Sequence, residues 1–434
     1  MLSDVCLGWW RSPAEFEQRK IPGPKMTAAI YQGRDQTLEP PGKPFAAYAI
    51  SLRNFFFLLA VVLLNYTVMR PSPVDISFTL ALLISIFCNQ RFTASTLVFL
   101  TLAFVWTFGL YSSSMPYAGD EEVVLQLFKI TYAISIGICA SLVVAHWSRA
   151  DLERFVRVWI FSAMIATALG VAGFVTGSEA LTWDGRAKGF LDDPNMYGAF
   201  LIPGVLGSLY FFNSRRNTKL YGFCLLFLML GLLLSFSRVA ILAGLMLCLA
   251  FVLIVNRKAM FRTVLSLFSG VFAFLVLAAL AAIFIEGFDD KVLDRLTLAK
   301  DYDLGEQGRL NRYLTSFDLM MQQPQGLGTL QFALRFPEPI HNIWLSSFMN
   351  YGWAAGLAWS YLILFGIVKN IRSYRMTNDA IYLLLMFSWL GIVSCALLHE
   401  AERWRHLWLF TGLIWVLSTR NLLIGRSNHP DPVK

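Results

Sequence analysis

"KLYGFCLLFLMLGLLLSFSRVAILAGLMLCLAFVLIV" occupies residues 219–255. It is almost continuous hydrocarbon, and nearly twice the ~20 residues that a bilayer-spanning helix needs. After Lys219 its one clear polar interruption is "SFSR", 235–238. The stretch therefore reads as two spans, 219–235 and 237–255, joined by a turn with almost no loop. That pattern selects a helical membrane protein, since a β-barrel would show short alternating segments instead.

The rest of the chain repeats the pattern. Of its 434 residues 56% are hydrophobic and only 15% charged, and the mean hydropathy is +0.56. Further apolar runs fall at roughly 45–69, 74–89, 92–112, 122–146, 155–177, 196–212, 263–286, 341–367, 379–398 and 404–423. The expectation is an all-α polytopic membrane protein with about 12 spans. Residues 1–44 are mixed and proline-containing, without the basic start and apolar core of a signal peptide. They read as a cytoplasmic N-terminal tail, 45–423 as the transmembrane domain and 424–434 as a cytoplasmic C-terminal tail. No internal repeat at solenoid or transporter periods is visible.

Lys and Arg set the orientation. With the N-terminus inside, the cytoplasmic side carries 23 of them, in the tails and in "CNQR", "WSRADLERFVR", "NSRRNTK", "NRKAMFR" and "KNIRSYR". The other side carries 12, six of them in one long loop, 287–340, between the ninth and tenth spans. Both termini are thus expected inside. The net charge of +8 lies in these short connections and implies no nucleic acid. Of the six cysteines, five lie in apolar runs and one in the tail, so neither a disulfide framework nor a zinc site is implied.

Cations are depleted on the outer face, so those that remain there need reasons. They include Arg186, Lys188, Arg238, Arg309, Arg312, His341, His399, Arg403 and Arg405. Snorkelling or carboxylate pairing can account for any one of them. A set on one face, with histidines, is better explained by an anionic ligand. Arg238 is the sharpest case, because a guanidinium at the junction of two spans is costly without a partner or a hydrated cavity. Ser235 and Ser237 beside it can donate hydrogen bonds, and a phosphate would suit the planar fork. The alternative is a structural hairpin cap. His341 opens the tenth span, followed by Asn342, Ser346 and Asn350 as a polar ridge and by Gly352 and Gly356 as a GxxxG pair for close helix contact. A neutral imidazole there can accept a proton near pH 7, or it can simply be satisfied by the loop. The acidic pairs in "DYD" (Asp301, Asp303) and "DEE" (Asp120–Glu122) face outside, where a divalent metal is the alternative to solvated carboxylates. "HEAER" (399–403) has Arg403 where a zinc protease needs its second histidine, so no metal site is expected. No nucleotide-binding glycine pattern appears.

Three stretches resemble the O-antigen ligase and Wzy-type polymerase superfamily, over about residues 50–420. "GFLDDPNMYGAFL" (189–201) is similar to its Asp-Pro-Asn segment, "LLLSFSRVAILAG" (232–244) to its Ser-Arg segment, and "HNIWLSSFMNYGWAAG" (341–356) to its His-Asn-x-x-Leu segment. The resemblance implies a GT-C-type fold in the bacterial inner membrane. It also implies a periplasm-facing, metal-independent, inverting transfer of glycan from undecaprenyl diphosphate, with no cofactor. The acceptor would be lipid A–core for a ligase, or a second lipid-linked glycan for a polymerase. Carried onto this sequence, the resemblance makes His341, Arg238 and Arg309 catalytic. Arg186, Lys188, Arg312, Asn342, Ser235 and Ser237 would bind substrate. Arg309 and Arg312, in "GEQGRLNR", are alternative counterparts of the loop arginine. A transporter of lipid-linked sugars is the rival of another class, but it would need ionisable groups at mid-membrane, where Lys129 is nearly alone.

Overall fold

A computed structural model describes residues 43–67, 72–88, 92–257, 308–336 and 339–417, with isolated helical positions between 270 and 283. Two compact units divide the chain, Met1–Tyr48 and Ala49–Lys434. Of the first, only the opening of helix α1 (Lys43–Leu63) is described.

The second unit is helical apart from one two-stranded hairpin among the described residues. In order it contains α2 (Pro73–Phe87), α3 (Ala94–Ser114), α4 (Glu121–Val144), α5 (Arg149–Thr176), β1 (Thr182–Trp183) and β2 (Arg186–Ala187). Then follow α6 (Pro194–Asn213), α7 (Thr218–Leu234), α8 (Arg238–Val255), α9 (Arg309–Gln322), α10 (Ile343–Met349), α11 (Gly352–Thr377), α12 (Ala380–Ala396) and α13 (Arg405–Val416). Six of the described helices are long and apolar enough to cross a membrane: α3, α4, α5, α6, α8 and α11. The stretch 219–255 forms two helices, α7 and α8, that meet at Ser235–Ser237.

Side-chain caps fix several boundaries. Thr93 accepts from Thr96 N, and Asp120 from Glu122 N. Ser148 and Asp151 form a capping box on α5. Asp120 is thereby a helix cap. At the far end of α5 from the hairpin, Glu153 takes Arg157 at 3.1 Å and Arg216 at 2.6 Å, and Arg149 pairs with Asp379 at 2.8 Å. The basic connections at this end are thus tied to α5 and to the start of α12.

Helix association rests on close packing and buried aromatics, as expected where hydrocarbon surrounds the bundle. A Cβ on Gly137 of α4 would sit 2.7 Å from Trp408 O of α13, and one on Gly412 would strike Gly137 itself. In α3, a Cβ on Gly109 would meet Tyr351 O at 2.5 Å. Helix α6 is buried along nearly its whole length, against α5, α7, α8 and α12. The buried Trp106, Trp159, Trp389, Trp408 and Trp415 each place the indole N–H on a partner, Trp408 on Glu402 O at 2.8 Å.

The tenth expected span, 341–367, differs from the structure. Residues 343–349 form the separate short helix α10, and α11 starts only at Gly352. The break has a steric cause. Gly352 adopts φ +84°, and the backbone of Pro324 and Gln325 lies 2.8 Å from where its Cβ would be. Trp353 N donates to Pro324 O at 2.9 Å. Gly356 takes the Phe348 ring of α10. The GxxxG pair therefore receives a loop and a folded-back short helix. At its other end α11 runs on through Lys369–Arg375, which sequence reading treats as a connection. The ninth expected span, 263–286, lies outside the described residues but for isolated positions, as do residues 284–307 with Asp301 and Asp303.

Candidate functional site

Three connections far apart in sequence line one cavity of about 440 Å³. The segment between α5 and α6 supplies Trp183, Asp184, Arg186 and Asp192–Asn195. The residue before α10's cap supplies His341. The turn between α12 and α13 supplies His399, Glu400, Arg403 and Trp404.

The first wall is built around the start of α6. Asp193 caps the helix, its Oδ1 accepting from Asn195 N at 2.7 Å and Met196 N at 2.9 Å, with Pro194 at the first helical position. Asn195 Oδ1 in turn accepts from Arg186 Nη2 at 2.9 Å, and Arg186 Nε donates to Ser235 O at 2.9 Å. One guanidinium thus links the Asp-Pro-Asn and Ser-Arg segments, which lie some forty residues apart, and is held in a single orientation at the cavity.

The second wall is the approach to α10. Arg312 of α9 is buried and donates from Nη1 to Pro339 O at 3.2 Å. Asn342 caps α10, its Oδ1 accepting from Trp344 N and Leu345 N at 3.0 Å each. Between these fixed points His341 adopts φ +52°. A non-glycine residue there is strained by roughly 1–3 kcal/mol, and such strain gathers at functional positions. Tyr313 Oη donates to His341 O at 3.5 Å.

The third wall is the turn after α12. His399 Nδ1 lies 2.9 Å from Cys395 O. A carbonyl can only accept, so Nδ1 carries the hydrogen, and in the neutral ring Nε2 is the basic nitrogen. The ring stacks on Trp404 at 6.0 Å. Burial, then the neighbouring Glu402, push the Glu400 carboxyl up to about 7, against the opposing pull of Arg403. Burial also raises Glu402.

Arg403 stands where three cavities meet. Besides the 440 Å³ cavity it lines a smaller one of about 150 Å³, where Ser346, Asn350, Tyr351, Glu400 and Glu402 supply polar groups among apolar side chains. It also lines one of about 540 Å³ beside α4, with Leu125, Phe128, Lys129, Asp192 and Met196. Neighbouring Arg405 is engaged differently, in a 2.9 Å ion pair with Asp75 and over the Tyr132 ring.

Of the residues singled out in the sequence, Arg186 and His341 come together in the cavity. Arg238 opens α8 and is not among the cavity's lining residues. Lys188 lines a separate cavity across the hairpin. Ser235 and Ser237 are buried, and Ser235 Oγ donates to Leu232 O at 2.6 Å. Arg312 and Asn342 hold the His341 backbone from either side. Arg309 opens α9, but its side chain lies outside the described residues. Of the ridge, Ser346 and Asn350 line the 150 Å³ cavity. Glu400 is a site candidate that sequence reading missed, while Arg403 and His399 were visible there only as outer-face cations. Their signal was local: "HEAERWR" puts five ionisable side chains into seven residues between two apolar helices.

Residues 223–360, roughly a third of the chain, match the Wzy_C family model, described as O-Antigen ligase. The match covers Arg238 and His341 but neither the hairpin nor the 399–405 turn. No curated protein matches the chain.

Proposed function

The chain is a member of the O-antigen ligase superfamily, and on that premise we propose that it moves a glycan from undecaprenyl diphosphate to an acceptor hydroxyl at the periplasmic face of the bacterial inner membrane. The carrying observation is the cavity that joins His341, inside the matched region, to Arg186 and Arg403 outside it. The topology that goes with this reading is a GT-C-type arrangement of twelve spans with both termini in the cytoplasm, and the basic connections support that orientation.

Diphosphate is a good leaving group, so it needs charge stabilisation more than it needs an acid. Arg186 and Arg403 supply that charge from the cavity walls, and the family resemblance adds Arg238 and Arg309. His341 accepts the proton of the acceptor hydroxyl. The hydroxyl oxygen bonds to the anomeric carbon as the bond from that carbon to the diphosphate oxygen breaks. The electron pair leaves with the diphosphate, and the proton passes from His341 to water. The prenyl chain lies in the 540 Å³ cavity, whose Leu125 and Phe128 are exposed on α4. Arg403, shared by both cavities, then meets the diphosphate between lipid and sugar.

Lipid A–core is the acceptor under the ligase assignment. In a deletion strain, loss of all long chains from the core supports it, and a single repeat unit left on the core assigns polymerase instead. The transferase itself is tested with purified protein in nanodiscs, given donor and acceptor and assayed for a new glycosidic bond. Wild-type protein should form it. His341→Ala should lower kcat by about 10²–10⁴ while folding normally. Wild-type turnover in that variant removes His341 as the base. Movement of lipid across the bilayer without bond formation replaces the transferase with a transporter.

A further inference from the structure

The hairpin that carries Arg186 also carries an exposed indole. Trp183 is 58% exposed, although it is one of the largest apolar side chains of the chain. Looseness does not explain this. Strands β1 and β2 pair Thr182 with Ala187 and Trp183 with Arg186. The turn residues Asp184 and Gly185 have φ of 52° and 61°, the left-handed pair that a tight two-residue hairpin requires. Lys188 N and Gly189 N both donate to Leu181 O at 3.0 Å, Leu181 presses on Gly173 of α5, and Ala187 is fully buried. The indole is held out on a rigid stem.

It stands between two cavities. Trp183 and Asp184 line the reaction cavity and also one of about 560 Å³ across the hairpin, where Glu179, Thr182 and Lys188 supply polar groups. A tryptophan anchored in lipid headgroups would face the bilayer. This one is flanked by carboxylates, an ammonium and a hydroxyl. An exposed aromatic face ringed by a few fixed hydrogen-bonding groups suits a sugar, whose C–H face stacks on the ring while its hydroxyls bond to the surround. The shared residues also give the cavities an order. The lipid-side cavity joins the reaction cavity at Arg403 and Asp192, and the hairpin cavity joins it at Trp183 and Asp184.

We propose that the hairpin cavity is a glycan subsite for the donor, binding sugar residues beyond the one being transferred, with Trp183 as its stacking platform. This rests on the transferase assignment above. The test uses full-length protein in nanodiscs and prenyl diphosphate donors extracted from the producing cells and sorted by glycan length. Because Trp183 also borders the reaction cavity, the readout is how the KM penalty of Trp183→Ala changes with donor length, not its size for the shortest transferable donor. Relative to that shortest donor, the penalty for longer donors should rise to a plateau of about tenfold, with acceptor KM unchanged. Trp183→Tyr should restore most of the loss. Equal melting temperatures show that the variants fold. A KM penalty independent of donor length, a shift in acceptor KM instead, or no effect at any length overturns the subsite. Wild-type protein that transfers no donor of any length overturns the transferase assignment, and the subsite with it.

Discussion

Burial and the neighbouring Glu402 hold the Glu400 carboxyl up to about 7, so lowering the pH from 8 to 6 shifts it from the carboxylate toward the neutral acid. It lines the cavity in which the donor diphosphate is proposed to bind. Acidification through 7 therefore removes a negative charge facing a negative ligand, and donor KM should fall. The cavity of about 440 Å³, taken as a sphere, is roughly 9 Å across, and two unit charges at that spacing and an effective dielectric of ~20 interact by about 2 kcal/mol. That is an affinity factor of roughly 20. Salt screening over about one Debye length brings the expected range to about three- to twentyfold. Other ionisable groups share the cavity, namely His341, His399, Asp184, Asp192, Asp193, Arg186 and Arg403, and Glu402 acts on Glu400 as a neighbouring charge, so the readouts must be separated. Under the proposed roles, a protonated His341 should lower kcat, whereas Glu400 should act on donor KM. The assay is donor KM between pH 6 and 8 for wild type and Glu400→Gln, an uncharged mimic of the neutral acid. The wild type should show the KM step, and the variant should show a flat, low KM. A variant that keeps the step, or a wild-type KM that rises on acidification, refutes the reasoning.

Two further perturbations test other parts of the argument. Arg186→Lys keeps the charge but cannot reach Ser235 O and Asn195 Oδ1 together through one fork. It should raise donor KM by at least tenfold with little change in melting temperature, and wild-type kinetics would show that the paired orientation is unimportant. Gly412→Ala places a methyl group against Gly137 and forces α4 and α13 apart. Overpacking of this kind costs about 1–3 kcal/mol, which should appear as a melting temperature several degrees lower in detergent.

The long apolar runs located every described α-helix but α9, which falls inside the expected loop 287–340, because hydropathy reports what a bilayer demands of a helix whatever its neighbours. It could not report the break at Gly352, which arises from the backbone of Pro324 and Gln325 pressing on that one position. Nor could it end α11, since a helix can carry Lys369–Arg375 beyond an apolar core without any local signal. The candidate site was partly legible for the same reason. Asp193, Asn195 and His341 stand in recognisable segments. Asn195's role as the acceptor for Arg186 depends on a hairpin folding back onto α6. Glu400 and Arg403 sit in a segment whose spacing suggested only a failed zinc motif. Their place in the candidate site comes from lining one cavity with His341, a proximity that no sequence interval measures.

The break at Gly352 also has a mechanical consequence. Membranes differ in thickness, and a long spanning helix accommodates the difference by tilting or sliding. Helix α11 can do so with its full length. The short helix α10, which carries Asn342 and follows His341, is fixed instead to the protein. Loop 324–328 grips its end, with Leu327 N on Met349 O at 2.8 Å, and Arg312 holds the chain ahead of it. The backbone at His341 is thus referenced to the protein rather than to the lipid, and its position should not change with the bilayer around it.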